Sequence, residues 1–539
     1  MPKVSELCVK ALKKAGVRHV FGIPSVHNIG LYDALRDEPS IQHILCRHES
    51  SATHMADGYA RAGAGPGVVI TSTGPGSGYM IPPLMEAWWS SSPVLALTTN
   101  IATDRIGKKT GTLHEVEHQD SLFREIAKKR FCPRTSDAAV DMIGKSLAEA
   151  VSERPGPVYL EIPTDLWDQE CDGDVQTIKA VEPRPARADD MDRALSLLRE
   201  AERPLIIAGT GALRAGTGPA VRAIAESLQA PVVTNAEAKG ILPEDHPLSF
   251  GNGARRGVVR EVIESSTVAL ALGTRLRHVD YVRQGVTFPQ LIHAESDDTY
   301  MGRNYPLAVR LTGSLERTAG MLLEGLTKRG PEPPRGRTSW VTSLKKKLRS
   351  EEEAIAGERT EVAFIEALRR ALPRDGTLVI DNTILGYWAE YFYSSYRPGG
   401  IVDGRGSSVI GFSFPAAMGL KLADPGRPVA ALTGDGGFFY GTQELATCRR
   451  HGIGFPLVVV NDGAFGVIDI LQRLNYGRGY ETSLVNPDLQ AFAASFGIAS
   501  EVVHDPTMLE EVLKKTLNSG ELCLIELVLS LGEIPFARY

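Results

Sequence analysis

Gly434-Asp435-Gly436 is followed, after 24 intervening residues, by Asn461-Asp462-Gly463, and an apolar run leads into each triplet. The run Pro428-Val429-Ala430-Ala431-Leu432-Thr433 reads as a buried strand that delivers Asp435 at its carboxyl end, where open α/β sheets bind ligands. Gly437 to Gly441 come next, then a helix over Thr442 to His451, stopped by Gly452. A second strand, Phe455 to Val460, brings Asn461 and Asp462 to the same edge. Two buried strands joined through a helix restrict this part of the chain to a parallel α/β sheet. The glycines let backbone N–H groups approach phosphate oxygens, and the helix N-terminus adds partial positive charge. Magnesium takes six hard oxygens near octahedral geometry, so two side-chain oxygens, a main-chain carbonyl, two diphosphate oxygens and a water would complete a shell here. Taken alone, the segment also fits an ordinary βαβ unit with a glycine turn.

The amino-terminal third carries a second pattern. Ile41 to Cys46 reads as a strand ending in Arg47-His48-Glu49, followed by a small-residue helix from Ser50 to Ala62 that Gly63 stops. Around it lie Phe21-Gly22-Ile23-Pro24, Thr73-Gly74-Pro75-Gly76 and Ala87-Trp88 with Ser92-Pro93-Val94. On residue type alone, Glu49 is a solvated helix-capping acid.

A chain of 539 residues exceeds what one hydrophobic core organises, and three domains are expected. The polar, proline-bearing stretch Asp172 to Asp190 and the run Gly330-Pro331-Glu332-Pro333-Pro334-Arg335-Gly336 read as linkers, the second leading into a charged helix over Trp340 to Gly357. Between them, strands Pro204 to Ala208 and Val268 to Leu272 lead into Gly209-Thr210-Gly211 and Gly273-Thr274-Arg275, an alternation that implies a six-stranded or similar Rossmann-like sheet. With 59 basic and 65 acidic residues, a net charge of −6 and no basic run, nucleic acid is excluded as a partner. Six cysteines without CxxC spacing fit reduced thiols and a cytoplasmic location; no signal peptide or membrane span is expected.

Together the two patterns resemble those of the thiamine diphosphate-dependent enzymes. The layout is most similar to the acetolactate-synthase-like branch, which includes 2-oxo acid decarboxylases, carboligases and benzaldehyde-lyase-like enzymes. The resemblance implies three Rossmann-like or flavodoxin-like α/β domains with mostly parallel sheets. These are a pyrimidine-binding domain over residues 1–172, a central domain over 190–329 and a diphosphate-binding domain over 345–539, the first and last sharing a fold. It implies that Asp435, Asp462 and the Ala464 carbonyl bind Mg2+, and that Thr383, Gly434, Gly436 and Gly437 lie with them around the diphosphate. Many relatives have asparagine where this chain has Asp462. Glu49 would hydrogen-bond N1′ of the aminopyrimidine, a role suited to a carboxyl shielded from water with a raised pKa. In the stretch Ser407 to Ala417, Ile410 would wedge between the cofactor's rings, its N–H meeting N3′, while the Ser408 carbonyl accepts from the 4′-amino group.

The implied activity is non-oxidative decarboxylation or carboligation of a 2-oxo acid through a C2 carbanion and an enamine. Acetolactate synthesis proper, a benzoin or aldehyde lyase, and an FAD-linked oxidase are the rival readings. His27 and His114 match positions where relatives keep polar groups near the reactive ring, as does Gln119. The stretch His114-Glu115 to Gln119-Asp120 looks most like that of decarboxylases acting on guanidino-bearing 2-oxo acids. Histidine suits the site because its charge changes near neutral pH, so it can hold the substrate carboxylate and later deliver a proton. FAD is not favoured, because Gly209-Thr210-Gly211 is a lone glycine turn without a full dinucleotide fingerprint. In this family Glu49 and the diphosphate motif around one cofactor come from different subunits, which implies a homodimer at least, with tetramers common. Phe536-Ala537-Arg538-Tyr539 could fold over the site as a lid, but nothing in their pattern requires it.

Overall fold

Among the described residues, short and mostly apolar runs form eighteen strands in three separate six-stranded sheets, and every pairing between those strands is parallel. The computed structural model describes residues 1–173, 175, 184–328, 336–357, 359–529 and 531–535. Central strands are buried along their whole length, as sheets covered by helices on both faces require.

The first sheet contains β1 (His19–Gly22), β2 (Gln42–Leu45), β3 (Gly67–Ile70), β4 (Val94–Asn100), β5 (Arg130–Phe131) and β6 (Val158–Pro163), in the order β2-β1-β3-β4-β6-β5. The second contains β7 (Pro204–Ala208), β8 (Val232–Thr234), β9 (Ser249–Asn252), β10 (Val268–Leu272), β11 (Leu291–Glu295) and β12 (Val309–Thr312), in the order β12-β11-β10-β7-β8-β9. The third contains β13 (Thr377–Ile380), β14 (Ile401–Asp403), β15 (Val429–Gly434), β16 (Pro456–Asn461), β17 (Ala499–Val503) and β18 (Cys523–Val528), in the order β14-β13-β15-β16-β18-β17. Counted from its own first strand, the third sheet repeats the order of the first, and the middle sheet has the Rossmann order. In all three, strand order reverses beside the first strand, so the crevices outside β1/β3, β7/β10 and β13/β15 are the topological ligand sites.

The outer domains share a core. Helix Glu49–Arg61 of the first crosses helix Ser413–Ala423 of the last so closely that a Cβ on Gly58 would meet the Ala416 carbonyl carbon at 2.7 Å, and one on Gly419 the Met55 carbonyl carbon at 2.7 Å. Only glycine permits that approach. One helical turn away, Arg61 ties all three domains together with its side chain only 1% exposed. Its guanidinium pairs with Asp57 at 2.7 Å, Glu86 at 3.1 Å and Glu237 at 3.0 Å, and donates to the Asp403 carbonyl at 2.7 Å. Glu86 in turn accepts the N–H groups of Gly406 at 3.0 Å and Ser407 at 2.7 Å.

Element ends differ from the sequence reading by a few residues. Helix Ala188–Glu200 begins within the last three residues of the stretch expected as the first linker, and the charged helix runs Arg337–Ala356. Most of the second linker and Phe536–Tyr539 lie outside the described residues. Among the described residues, no helix is long and apolar enough to cross a membrane.

Candidate functional site

At the carboxyl end of β15 the chain turns directly into the short helix Asp435–Phe438, so the stretch expected as a glycine loop begins as a helical turn. Asp435 is buried, and its two carboxylate oxygens are already engaged. Oδ1 accepts from Gly436 N at 2.8 Å, and Oδ2 accepts from Gly463 N at 3.0 Å and from the Asn486 amide at 2.6 Å. The same amide reaches Asn461 Oδ1 at 2.9 Å. Asn486 is held there because its neighbours run antiparallel to the second triplet, with Leu484 N donating to Gly463 O at 2.7 Å and Phe465 N to Thr482 O at 2.8 Å. Burial first, and then the adjacent Asp435 charge, push the half-buried Asp462 carboxyl up to about 7.

Space around this turn is tight. A Cβ on Gly434 would sit 2.9 Å from Thr383 Oγ1, one on Gly436 2.7 Å from the Phe465 ring, and one on Gly437 2.9 Å from Thr433 Oγ1. The donors are all oxygens and include two neighbouring carboxylates, a set that suits a hard divalent cation rather than a soft metal. Among the described residues no group of three or more His, Cys, Asp or Glu side chains is poised for a metal, so a cation here would draw its remaining ligands from main chain, water or diphosphate.

Across the crevice, β13 ends in Asp381-Asn382, which fix the loop carrying Ile410. The buried Asp381 carboxylate accepts the N–H groups of Asn382 at 2.8 Å, Gly411 at 3.2 Å and Ser413 at 3.2 Å, and its burial raises its pKa despite those donors. The Asn382 amide donates to Val409 O at 2.9 Å. Ser408 and Gly411 both take left-handed backbone, with φ of 60° and 84°. At position 411 a Cβ would also lie 2.5 Å from that of Tyr440, so glycine is required. Ile410, half-buried, is thus presented between two anchored flanks.

The second group of residues sits on the first sheet. Helix Glu49–Arg61 starts at Glu49 itself, with His48 as N-cap accepting from Ser50 N through its ring at 3.1 Å. Glu49 is half-buried in the single chain rather than fully shielded, and its carboxylate lies against the Thr73–Gly76 loop, where a Cβ on Gly76 would be 3.2 Å from Oε1. His27 is buried with Nδ1 3.3 Å from Ser72 Oγ, and its ring centroid is 5.2 Å from that of the exposed His114. Burial, reinforced by His114, lowers the His27 pKa.

Gln119 lies in the loop that the resemblance sets above the reactive ring. Its amide is buried, with Oε1 accepting from Gly74 N at 2.6 Å and Nε2 donating to Thr99 O and Tyr159 OH, both at 2.9 Å. Both ends of the side chain are therefore committed to protein partners, and it holds the left-handed turn at Gly74 (φ 63°) beneath His114. Asp381, Asn382 and Asn486 were absent from the sequence reading. The first two follow an apolar run at a switch point and carry the same local signal as Asp435, whereas Asn486 carries none.

A third feature is a cavity of about 1100 Å3 at the carboxyl ends of β7 and β10, lined by Gly211, Gly273 and a cluster of arginines and aromatics. Arg154 and Arg275 each lie 4.7 Å from the Tyr300 ring centroid, backed by Trp88 and Trp89 at 4.8 Å.

Comparison with known proteins matches these regions to three family models. Thiamine pyrophosphate enzyme, N-terminal TPP binding domain, covers residues 2–122; the central domain covers 191–322; the C-terminal TPP binding domain covers 381–527. A probable 2-ketoarginine decarboxylase, AruI, of Pseudomonas aeruginosa is 34% identical over 96% of this chain and 92% of its own length. A probable acetolactate synthase large subunit of Methanocaldococcus jannaschii is 30% identical over 98% of this chain and 92% of its own. The acetolactate synthase large subunit of Haemophilus influenzae is 27% identical over 96% and 93%. With near full-length relatives and a matching model for each of its three sheets, the chain belongs to the thiamine pyrophosphate-dependent enzymes, in the acetolactate-synthase-like branch.

Proposed function

We propose that this chain is a Mg2+- and thiamine diphosphate-dependent, non-oxidative decarboxylase or carboligase of 2-oxo acids. The observation that carries the reading is the pairing of an oxygen-only, glycine-walled crevice at Asp435 and Asp462 with a carboxylate, Glu49, on a second sheet of the same topology. When bound, the cofactor supplies a nucleophilic carbon that adds to the 2-oxo group and takes up the electron pair left as carbon dioxide departs. Asp435, Asp462 and the Ala464 carbonyl would hold the metal, with Thr383 and the Gly434–Gly437 turn around the diphosphate. Ile410 would keep the cofactor bent, and Ser408 O would accept from the aminopyrimidine. Glu49 would share a proton with the pyrimidine nitrogen that faces it.

His27 and His114 fall to the substrate. A buried, neutral His27 beside an exposed His114 can orient a carboxylate and relay a proton, while Gln119 acts through the loop it holds. Large apolar side chains are exposed around both half-sites, Val26, Ile29 and Tyr79 on the first domain and Tyr440, Ile468 and Tyr476 on the last. Such patches fit a homodimer in which Glu49 of one protomer completes its partner's site, with a homotetramer as the larger assembly. The relative named as a 2-ketoarginine decarboxylase, together with the His114 to Asp120 stretch, favours a 2-oxo acid with a cationic side chain. A cytoplasmic location accords with the free cysteines. FAD has no part in this reading.

Holoenzyme incubated with a panel of 2-oxo acids, with products identified by mass spectrometry, tests the proposal. The expected result is carbon dioxide release, with the corresponding aldehyde formed from a guanidino-bearing acid. Acetolactate from pyruvate alone would favour the synthase reading, peroxide formation by a yellow protein the oxidase, and no turnover of any member would overturn the reading.

The metal site makes its own prediction. Two adjacent carboxylates attract the cation but repel the diphosphate. Asp462→Asn is therefore expected to bind thiamine diphosphate, with saturating Mg2+, at least as tightly as the parent by fluorescence titration. Weaker binding of tenfold or so would contradict the charge argument.

A further inference from the structure

Helix Glu444–His451 belongs to the last domain, yet one face of it closes the open edge of the first domain's sheet. β2 is the edge strand of that sheet. The N–H groups of its even-numbered residues point inward, Gln42 N to Arg18 O at 2.8 Å and Cys46 N to Gly22 O at 3.1 Å. The odd-numbered backbone groups face outward, where an edge strand ordinarily leaves them for water or another strand. Here three side chains of the Glu444 helix meet them. Thr447 Oγ1 is 3.2 Å from Leu45 O, His451 Nε2 accepts from Leu45 N at 3.2 Å, and the two Glu444 oxygens lie 3.1 and 3.2 Å from Arg47 N. Positions 444, 447 and 451 share one helical face. Glu444 is fully buried, and its Oε2 also accepts from the Thr447 hydroxyl at 2.6 Å.

The backbone is therefore pinned up to two residues before Glu49, at the approach to the joint where extended His48 (φ −153°, ψ 138°) gives way to helix. The geometry points to Glu444 as a positioning residue for Glu49: its carboxylate, with Thr447 and His451 beside it, fixes the strand-to-helix turn that aims Glu49 at the cofactor's pyrimidine. This rests on the role proposed above for Glu49. Domain cohesion alone does not call for such a grip, because the outer domains are already locked at the Gly58 and Gly419 crossing. A misplacement on the order of 1 Å at a reacting group costs about a hundredfold in rate, so the orientation of this turn bears directly on turnover.

The roles at Glu444 are those of acceptor, not of acid. In Glu444→Gln the amide oxygen can still accept from Arg47 N, while the amide nitrogen donates to Thr447 Oγ1 and leaves that hydroxyl free to donate to Leu45 O. Glutamine should therefore rescue what alanine loses.

The test uses holoenzyme with Mg2+ and thiamine diphosphate in deuterium oxide, following exchange of the cofactor's C2 proton by acid quench and proton NMR. Glu444→Ala is expected to slow exchange by about tenfold or more, with cofactor affinity held within about threefold, and Glu444→Gln to restore the rate to within about threefold. Thr447→Val, which keeps the side-chain shape and removes one pin, is expected to slow exchange a few-fold and serves if the alanine variant does not fold. Exchange at the parental rate in Glu444→Ala, or in Thr447→Val where that is the variant measured, would overturn the proposal. So would a glutamine variant as slow as alanine, since that would mean an ionisable group is needed. Glu49→Gln is the benchmark. If it slows exchange while the alanine or valine variant does not, only the positioning role fails; if Glu49→Gln itself exchanges normally, the role of Glu49 falls and this inference with it.

Discussion

Glu49→Gln is expected to lower single-turnover carbon dioxide release by about a hundredfold or more, the scale of a lost general acid–base group. Cofactor affinity should change little, because the metal and diphosphate contacts proposed for Asp435, Asp462 and the Gly434–Gly437 turn lie on a different sheet. Stability should also hold. Glutamine matches glutamate in size, the residue is half-buried, and the helix keeps its His48 cap to Ser50 N. The separation of effects is the content of the prediction: rate lost, binding and thermal midpoint retained. A variant that turned over within about threefold of the parent would remove Glu49 from the chemistry.

Arg61→Leu should produce the largest loss of stability of any single substitution considered. Removing one member of a buried ion cluster leaves the others charged without compensation, at about 3–5 kcal/mol. Here three carboxylates are stranded: those of Asp57 and Glu86, whose side chains are fully buried, and that of Glu237, at 9% exposure. For domains of this size the loss corresponds to a fall in thermal midpoint of about 10 °C, compared at one fixed scan rate because large chains often unfold irreversibly. The damage should also reach the wedge loop, since Glu86 carries the N–H groups of Gly406 and Ser407 ahead of Ser408 and Ile410. Weaker cofactor binding should accompany the lower midpoint. Arg61→Lys keeps the charge but cannot fork between Asp57 and Glu237, so it should fall between the two. A midpoint within about 1 °C of the parent for the leucine variant would show that the cluster contributes little net stability.

The sequence made legible those features that are local. Apolar runs ending in Gly434-Asp435 and in Asn461-Asp462 located two strand ends and the crevice between them, because burial on both faces of a parallel sheet leaves an unbroken apolar signature. The Glu49 turn was legible from its small-residue helix and the Gly63 that stops it. What escaped was set by tertiary contact. Asn486 reaches Asp435 only because residues 482–484 fold back on 463–465. Glu444 reads as an ordinary helix residue until β2 is laid beside it. The partners that hold the Gln119 amide, Thr99 O and Tyr159 OH, are likewise remote in sequence. The charged helix starts three residues before the sequence suggests because Arg337 donates to the carbonyls of Ala201 at 3.0 Å and Leu228 at 3.0 Å, a tie that local propensity does not record.

The central domain contributes no residue to the proposed cofactor contacts, which makes it look dispensable to anyone trimming the scaffold. Glu237 says otherwise. Excising that domain would leave a cation in the remaining interior short of one counter-ion, and the Ser90 hydroxyl with Glu86 as its one carboxylate partner in place of two. A shortened version would need its own anion at that spot, or an uncharged side chain at position 61, before the outer pair could close.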